Sequence, residues 1–157
     1  MTAIVYCTKR GSAKEYAQKL GEMTSLPVYD LKTAAKSLKK GEPIIYIGWV
    51  CAGKVKGLEK AAARYKIKKL GMVGVSPDES SQKAALASSG AQTVAVLPGR
   101  IRPTELRGFD GIVIRMVSGM LKKAAEDHPE DKDAAKLADV MCNGADLVDF
   151  DKLNGLI

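Results

Sequence analysis

The fold is decided by the stretch AIVYCTKRGSA at residues 3–13. Residues 3–7 are mostly apolar and rich in β-forming side chains, which predicts a short buried strand. After Gly11, apolar residues recur at helical spacing, at Ala13, Tyr16, Ala17, Leu20 and Met23. A helix is therefore expected to begin near Ser12, directly after a short polar loop.

The same alternation continues along the chain. Further strands are predicted at residues 26–31, 43–50, 70–75 and 91–97, and further helices at residues 32–40, 54–68, 81–88, 104–123 and 134–141. Alternating strands and helices predict a parallel sheet covered on both faces. We expect one doubly wound α/β domain over residues 1–157, with five parallel strands in the order 2-1-3-4-5.

Composition and charge limit the function classes. The chain has 157 residues and a formal net charge of +7, which favours acidic partners or anionic surfaces. We expect no secretory signal, and every apolar run is far shorter than the about 18 residues that a membrane span needs. Three widely spaced cysteines predict reduced thiols and a cytoplasmic location. Basic residues without interleaved aromatic residues argue against nucleic-acid binding.

The predicted ligand edge lies where strand order reverses, beyond the carboxyl ends of the first and third strands. The loop there that follows the first strand has the composition of a phosphate cradle, with hydroxyls, cations and a glycine ahead of a helix: Thr8, Lys9, Arg10, Gly11, Ser12 and Ala13. The alternative is an ordinary turn in which Ser12 is the N-cap of the helix.

These residues resemble the opening of the flavodoxin family, whose phosphate loop has the form S/T-x-T-G-x-T. Thr8 and Gly11 match this form, whereas Arg10 and Ala13 replace hydroxyl residues. The resemblance implies a flavodoxin-like fold, flavin mononucleotide (FMN) as cofactor and electron transfer as function. The backbone N–H groups and the charge of Arg10 are expected to replace the missing side-chain contacts.

A second resemblance covers residues 94–101 together with the pair Phe109-Asp110 and the run Ile114-Arg115-Met116. These segments are similar to the menaquinone-linked, flavodoxin-like protoporphyrinogen oxidases. That similarity implies an oxidoreductase with a quinone acceptor. A third reading is a binding module of the same fold that has lost its cofactor.

The family resemblance also implies contacts to the flavin ring. They fall on the loop after the third strand, at Trp49, Val50, Cys51, Ala52, Gly53 and Lys54, and on the loop after the fourth strand, at Ser76, Pro77 and Asp78. Trp49 is the only tryptophan, and it is expected either to stack on the flavin or to pack inward. With Lys9, Arg10, Lys54 and Arg100 near the site, we expect a higher reduction potential than in acidic flavodoxins.

Three further patterns have competing interpretations. Gly48-x-x-x-x-Gly53-Lys54 is close to a nucleotide-binding P-loop, but Val55 has no hydroxyl for Mg²⁺, so we reject nucleotide hydrolysis. Cys7 and Cys51 end neighbouring strands and are expected to be either a thiol pair near the ligand or small buried apolar residues. A basic, methionine-containing cluster predicts either a membrane or acidic-partner surface or a core-facing helix: Arg100, Arg102, Arg107, Arg115, Met116, Met120 and Leu121.

Overall fold

The computed structural model describes residues 1–75, 78–102, 109–127 and 132–157. Its first strand, β1 (Ala3–Cys7), leads through a short loop into α1 (Ser12–Thr24), followed by β2 (Val28–Asp30) and a 3₁₀ turn at Ala34–Lys36. The middle of the chain forms β3 (Pro43–Cys51), β4 (Lys54–Val55), α2 (Leu58–Arg64), β5 (Lys66–Gly74), α3 (Glu79–Ser89) and β6 (Thr93–Pro98). The remainder forms β7 (Arg100–Ile101), α4 (Phe109–Asp127), α5 (Lys132–Asn143), β8 (Ala145–Asp146) and a 3₁₀ helix at Phe150–Leu156.

The central sheet has the order β2-β1-β3-β5-β6, and all of these neighbouring strands pair in parallel. This confirms the predicted doubly wound order, since β4 is a hairpin strand that pairs only with the end of β3. The switch point between β1 and β3 is therefore present, with Cys7 paired opposite Gly48 at the ligand edge.

Successive side chains on the strands point to opposite faces and build two cores. On β1, Val5 belongs to the core under α2 and α3, whereas Ile4 belongs to the core under α1. On β3, Tyr46 and Ile47 divide in the same way, and all four side chains are fully buried. Both faces of the sheet are therefore covered, as the sequence predicts.

The helix predicted at 54–68 is present but shorter, as α2 (Leu58–Arg64), because Lys54 and Val55 form β4 and β5 begins at Lys66. The predicted helix at 32–40 reduces to the single 3₁₀ turn Ala34–Lys36. No element is predicted after the helix at 134–141, but the chain there contains β8 and a 3₁₀ helix whose Leu153 and Leu156 are fully buried in the α1 core. The first residues of the predicted helix at 104–123 lie outside the described part of the chain.

The described chain divides into two compact units. Unit 1 consists of Met1–Gly99 and Val148–Ile157, and unit 2 consists of Arg100–Leu147. In unit 1, the hydroxyl of Tyr16 donates to the Pro98 carbonyl at 2.7 Å and accepts from the Asp149 N–H at 2.8 Å. Tyr16 therefore joins α1 and the end of β6 to the returning C-terminal segment. The interpretation of residues 1–157 as one domain stays a prediction.

Unit 2 is a helical hairpin closed by a short antiparallel ladder. Arg100 and Ile101 of β7 pair with Asp146 and Ala145 of β8, and the Arg100 guanidinium donates to the Asp146 carboxylate at 2.7 Å. Between them, α4 packs on α5, with the buried Ser118 hydroxyl donating to the Met141 carbonyl at 3.2 Å. The ladder brings the two ends of the hairpin together. Met116 and Met120 of α4 are 65% and 70% exposed, so the prediction that they belong to a core-facing surface is wrong.

Candidate functional site

The loop after β1 keeps an open helix start. Gly11 is the N-cap of α1 at φ 100°, and its N–H donates to Thr8 Oγ1 at 2.9 Å. Having no side chain, Gly11 cannot cap the first N–H groups of α1, which have no partner inside a helix. The alternative with Ser12 as N-cap is wrong, because Ser12 is already the first helical residue. Thr8 therefore shapes the loop, and α1 begins without a side-chain cap, which is compatible with the cradle interpretation.

Charges around this loop have both signs. Lys9 and Arg10 are exposed, whereas Ser12 and Ala13 are buried at 7% and 1% relative exposure. A Cβ atom added to Gly11 would lie 3.7 Å from the Glu15 carboxylate oxygen Oε1, so this acidic group stands beside the loop. Glu15 was not predicted from the sequence to lie at the site. Its position in the first turn of the predicted helix was the only sequence feature that pointed to it, because acidic residues are commonly found there and stabilise the helix start.

The predicted second ligand loop is a tight β-hairpin. Val50 and Cys51 of β3 pair with Val55 and Lys54 of β4, leaving only Ala52 and Gly53 in the turn. Both turn residues have positive φ, 50° and 72°, as a type I′ turn requires. Lys54 therefore lies in a strand rather than at a helix start, and the P-loop geometry is absent from this described segment.

Trp49 lies near lysines from both the loop at residues 8–13 and the chain after the hairpin. It lies on β3 opposite Val73 of β5 and is half-buried. The Lys9 ammonium lies 5.6 Å from the centre of its ring, and the Lys56 ammonium lies 6.0 Å from it. The structure thus brings Trp49 next to the first loop, as the flavin interpretation expects, but with two cations over the indole.

The chain after the hairpin is held by Tyr46, a residue that was not predicted from the sequence to belong to the site. Its buried hydroxyl donates to the Lys56 carbonyl at 2.7 Å, and burial together with Cys7 raises the pKa of Tyr46. Gly57, at φ 77°, follows directly, and a Cβ there would lie 2.5 Å from the Tyr46 hydroxyl oxygen. This close approach fixes the backbone after the hairpin against the end of β1.

Of the third predicted segment, Ser76 and Pro77 lie outside the described residues. Asp78 is the N-cap of α3, and its carboxylate accepts from the Ser80 hydroxyl and the Ser81 N–H, both at 2.9 Å. These hydrogen bonds from Ser81 and Ser80 lower the pKa of Asp78. The structure thus gives Asp78 a capping role. Arg100, expected near the site as a cation, pairs with Asp146.

Three further features concern the expected thiol pair, metal binding and membrane-spanning helices. Cys7, Cys51 and Cys142 are free thiols. Cys51 lies three residues beyond the register partner of Cys7, which is about 10 Å along a strand, so the expected thiol pair does not form there. Among the described residues, no group of three metal-binding side chains gathers, and no helix has the length and apolar character to cross a membrane.

Comparison with known proteins agrees with this geometry. Residues 3–128, more than half of the chain, match the family model described as a flavodoxin domain. No curated protein matches the chain. The parallel order, the switch point and the glycine-capped loop after β1 are the features by which this fold binds ligands. The chain therefore belongs to the flavodoxin-domain family.

Proposed function

We propose that this protein binds FMN and transfers electrons. The observation that carries the proposal is the start of α1, where Gly11 caps the helix at the switch point between β1 and β3. Backbone N–H groups at a helix start favour an anion through their hydrogen bonds and the helix dipole. Flavodoxin domains commonly place FMN at this edge, and FMN supplies the acceptance and release of electrons.

The first loop fits a phosphate group. Thr8 Oγ1 accepts a hydrogen bond from the Gly11 N–H inside the loop, and no side chain caps the first N–H groups of α1. Lys9 and Arg10 add positive charge at the surface, and Gly11 leaves room for close approach to the backbone. Arg10 and the backbone then take the place of the family's hydroxyl contacts. The Glu15 carboxylate opposes an anion, which predicts moderate affinity.

The ring-binding side is defined by Trp49. Its indole is half-buried beside the first loop, within reach of both Lys9 and Lys56. A flavin ring near Trp49 has these cations for neighbours, together with exposed Lys54. Positive charge favours the electron-rich reduced flavin, so the proposed reduction potential lies above that of acidic flavodoxins. Because Arg100 forms an ion pair with Asp146, we expect it to raise the reduction potential less than the lysines do.

A paired titration tests the proposal. The protein is titrated with FMN and with riboflavin, which has the same ring without the phosphate, while absorption and flavin fluorescence are followed. We expect shifted absorption, quenched fluorescence and at least about tenfold tighter binding of FMN, since a charge-assisted phosphate site adds more than about 1.4 kcal/mol. Equal affinity for the two flavins would show that residues 8–13 do not bind the phosphate group. Absence of binding at micromolar FMN would favour the cofactor-free module.

The redox partner is proposed from charge alone. A net charge of +7 and exposed lysines around the hairpin favour an acidic partner protein. The alternative acceptor, a quinone used by an oxidoreductase similar to protoporphyrinogen oxidases, rests on the sequence of residues 94–116. Porphyrinogen oxidation coupled to quinone reduction by the FMN-loaded protein distinguishes the two, because a simple carrier does not perform it.

A further inference from the structure

The hairpin after β3 has two different faces. Val50 of β3 pairs with Val55 of β4, and both side chains pack with the core under α2 and α3. One step further from the turn, the same register places Lys56 opposite Trp49. Directly opposite residues share a face of an antiparallel pair, and successive residues alternate between faces. The other face, which we call the hairpin face, therefore consists of Trp49, Cys51, Lys54 and Lys56.

The backbone of Lys56 is held on both sides. Its N–H donates to the Trp49 carbonyl at 2.9 Å, and its carbonyl accepts from the buried Tyr46 hydroxyl at 2.7 Å. Gly57 follows at φ 77°, so close to the end of β1 that a Cβ there would lie 3.3 Å from Cys7 Cβ. These contacts fix the Cα atom of Lys56 relative to Trp49. Only side-chain torsions therefore move its ammonium, which lies 6.0 Å from the centre of the indole.

Two other cations near Trp49 differ from Lys56 in position. Lys9 lies over the indole at 5.6 Å, but it belongs to the loop at residues 8–13, where a bound phosphate offsets its charge. Lys54 shares the hairpin face, but it lies two residues from Lys56, about 7 Å away along the strand direction. Lys56 is therefore the cation that acts most strongly on a ring at Trp49 once the phosphate site is filled.

We propose that Lys56 determines the specificity of the ring site and makes it select negatively charged rings. This inference rests on the FMN binding proposed above. The oxidised flavin ring is neutral, and it becomes an anion when it takes up two electrons from a reductant and one proton from water. A nearby ammonium stabilises that negative charge. Because the backbone holds Lys56 in place beforehand, little rearrangement is needed when the charge develops.

Quenching of tryptophan emission tests the charge in the ligand-free protein, because Trp49 is the only tryptophan. Iodide, an anion, and acrylamide, which is neutral, are added separately at constant ionic strength. We expect the ratio of iodide quenching to acrylamide quenching to fall about twofold for Lys56→Gln and to be retained by Lys56→Arg. Lys54→Gln removes the same charge from the same face and should change the ratio much less. An unchanged ratio for Lys56→Gln overturns the proposal.

Redox titration with dithionite tests the selection itself. The difference in midpoint potential between free and bound FMN gives the ratio of the affinities for reduced and oxidised FMN. For Lys56→Gln we expect this ratio to fall about tenfold, which lowers the two-electron potential by about 30 mV. The affinity for oxidised FMN should change less than about twofold, because the oxidised ring is neutral. Lys56→Arg should keep the ratio, and Lys54→Gln should lower it no more than about twofold.

The outcomes separate this inference from the proposed function. If Lys56→Gln binds FMN with an unchanged affinity ratio, the role of Lys56 is overturned while FMN binding stands. An equal fall for Lys54→Gln also overturns it, since general positive charge would then account for the selection. Absence of FMN binding by the unchanged protein overturns the proposed function and this inference together. Thermal unfolding of the lysine variants should match that of the unchanged protein, because both side chains are exposed.

Discussion

The loop at residues 8–13 and the hairpin turn after β3 begin alike and end differently. Both follow a parallel strand at the ligand edge, and both contain a glycine at positive φ, Gly11 at 100° and Gly53 at 72°. After Gly11 the chain enters a helix, which leaves backbone donors available for an anion. After Gly53 the chain pairs back on β3, which uses its backbone groups in the ladder. A glycine-containing loop is thus open or closed according to the element that follows it.

The largest expected effect is on stability at the hairpin side. Gly57→Ala places a Cβ 2.5 Å from the Tyr46 hydroxyl oxygen and 2.6 Å from Leu31 Cδ2, at φ 77°. We expect a loss of about 3 kcal/mol in the free energy of unfolding, measured with urea. Gly90→Ala is the control, since its φ is also positive but no atom lies within 4 Å, and about 1 kcal/mol is expected. Equal losses would contradict the close packing at Gly57.

At the first loop the effect should fall on binding. Gly11→Ala adds a Cβ with no contact closer than 3.7 Å, so the loss of stability is about 2 kcal/mol and comes from backbone strain alone, since φ 100° and ψ −30° lie outside the left-handed helical region. The methyl group occupies the approach to the cradle, and FMN affinity should fall about tenfold. Fluorescence titration measures the affinity, and riboflavin serves as the matched ligand. A fall of the same size for riboflavin would show that the change is not at the phosphate.

The hydroxyl of Tyr46 gives the hairpin side a pH dependence. Tyr46→Phe leaves the Lys56 carbonyl without its donor and should lower stability by about 1 kcal/mol, more than Tyr29→Phe at a half-buried site. The pKa of Tyr46 is raised on folding, so its contribution is fully present below the ordinary value of 10.0 and is lost as pH rises above it. Urea unfolding between pH 8 and about 11 should show a shallower alkaline decline in the variant.

A substitution at Glu15 should strengthen FMN binding at the first loop, in contrast to Gly11→Ala. Removing its charge by Glu15→Gln should tighten FMN binding about fivefold, because about 1 kcal/mol of repulsion is relieved near the phosphate. Riboflavin affinity should not change. Glu22→Gln, an exposed acid in the same helix, is the control. Weaker FMN binding by the Glu15 variant would mean that the carboxylate organises the loop rather than opposing the ligand.

The smallest expected effect concerns the contact between Lys9 of the first loop and Trp49 at the end of β3. Lys9→Gln removes one cation from Trp49 and should lower stability by only about 0.5 kcal/mol. Because Trp49 is the only tryptophan, its emission reports this contact directly, and we expect a shift for Lys9→Gln but none for Lys14→Gln at another exposed lysine. Inorganic phosphate should reproduce part of the shift if it draws Lys9 away. Identical emission spectra for Lys9→Gln and the unchanged protein would show that Lys9 of the first loop does not contact Trp49.

The sequence predicted well wherever a pattern was long and local. The buried run at residues 3–7, the helix from Ser12 and the helix predicted at 81–88 all match the structure. The helix predicted at 54–68 is correct only over α2 (Leu58–Arg64), since β5 takes its last residues and Val55, at its predicted start, lies in β4. There Val55 packs across Gly48 as part of a hairpin, an interaction between positions that helical periodicity does not register.

By itself the sequence determined the sheet order, the switch point and the composition of the first loop, because hydrophobic periodicity and the rules of parallel connection are local or topological. Tertiary structure alone decided the rest. Strand pairing closed the second loop, packing placed Glu15 beside Gly11 and two lysines over Trp49, and the return of Leu153 and Leu156 completed a core. Each of these depends on atoms from distant positions, and their proximity follows only from how the elements pack.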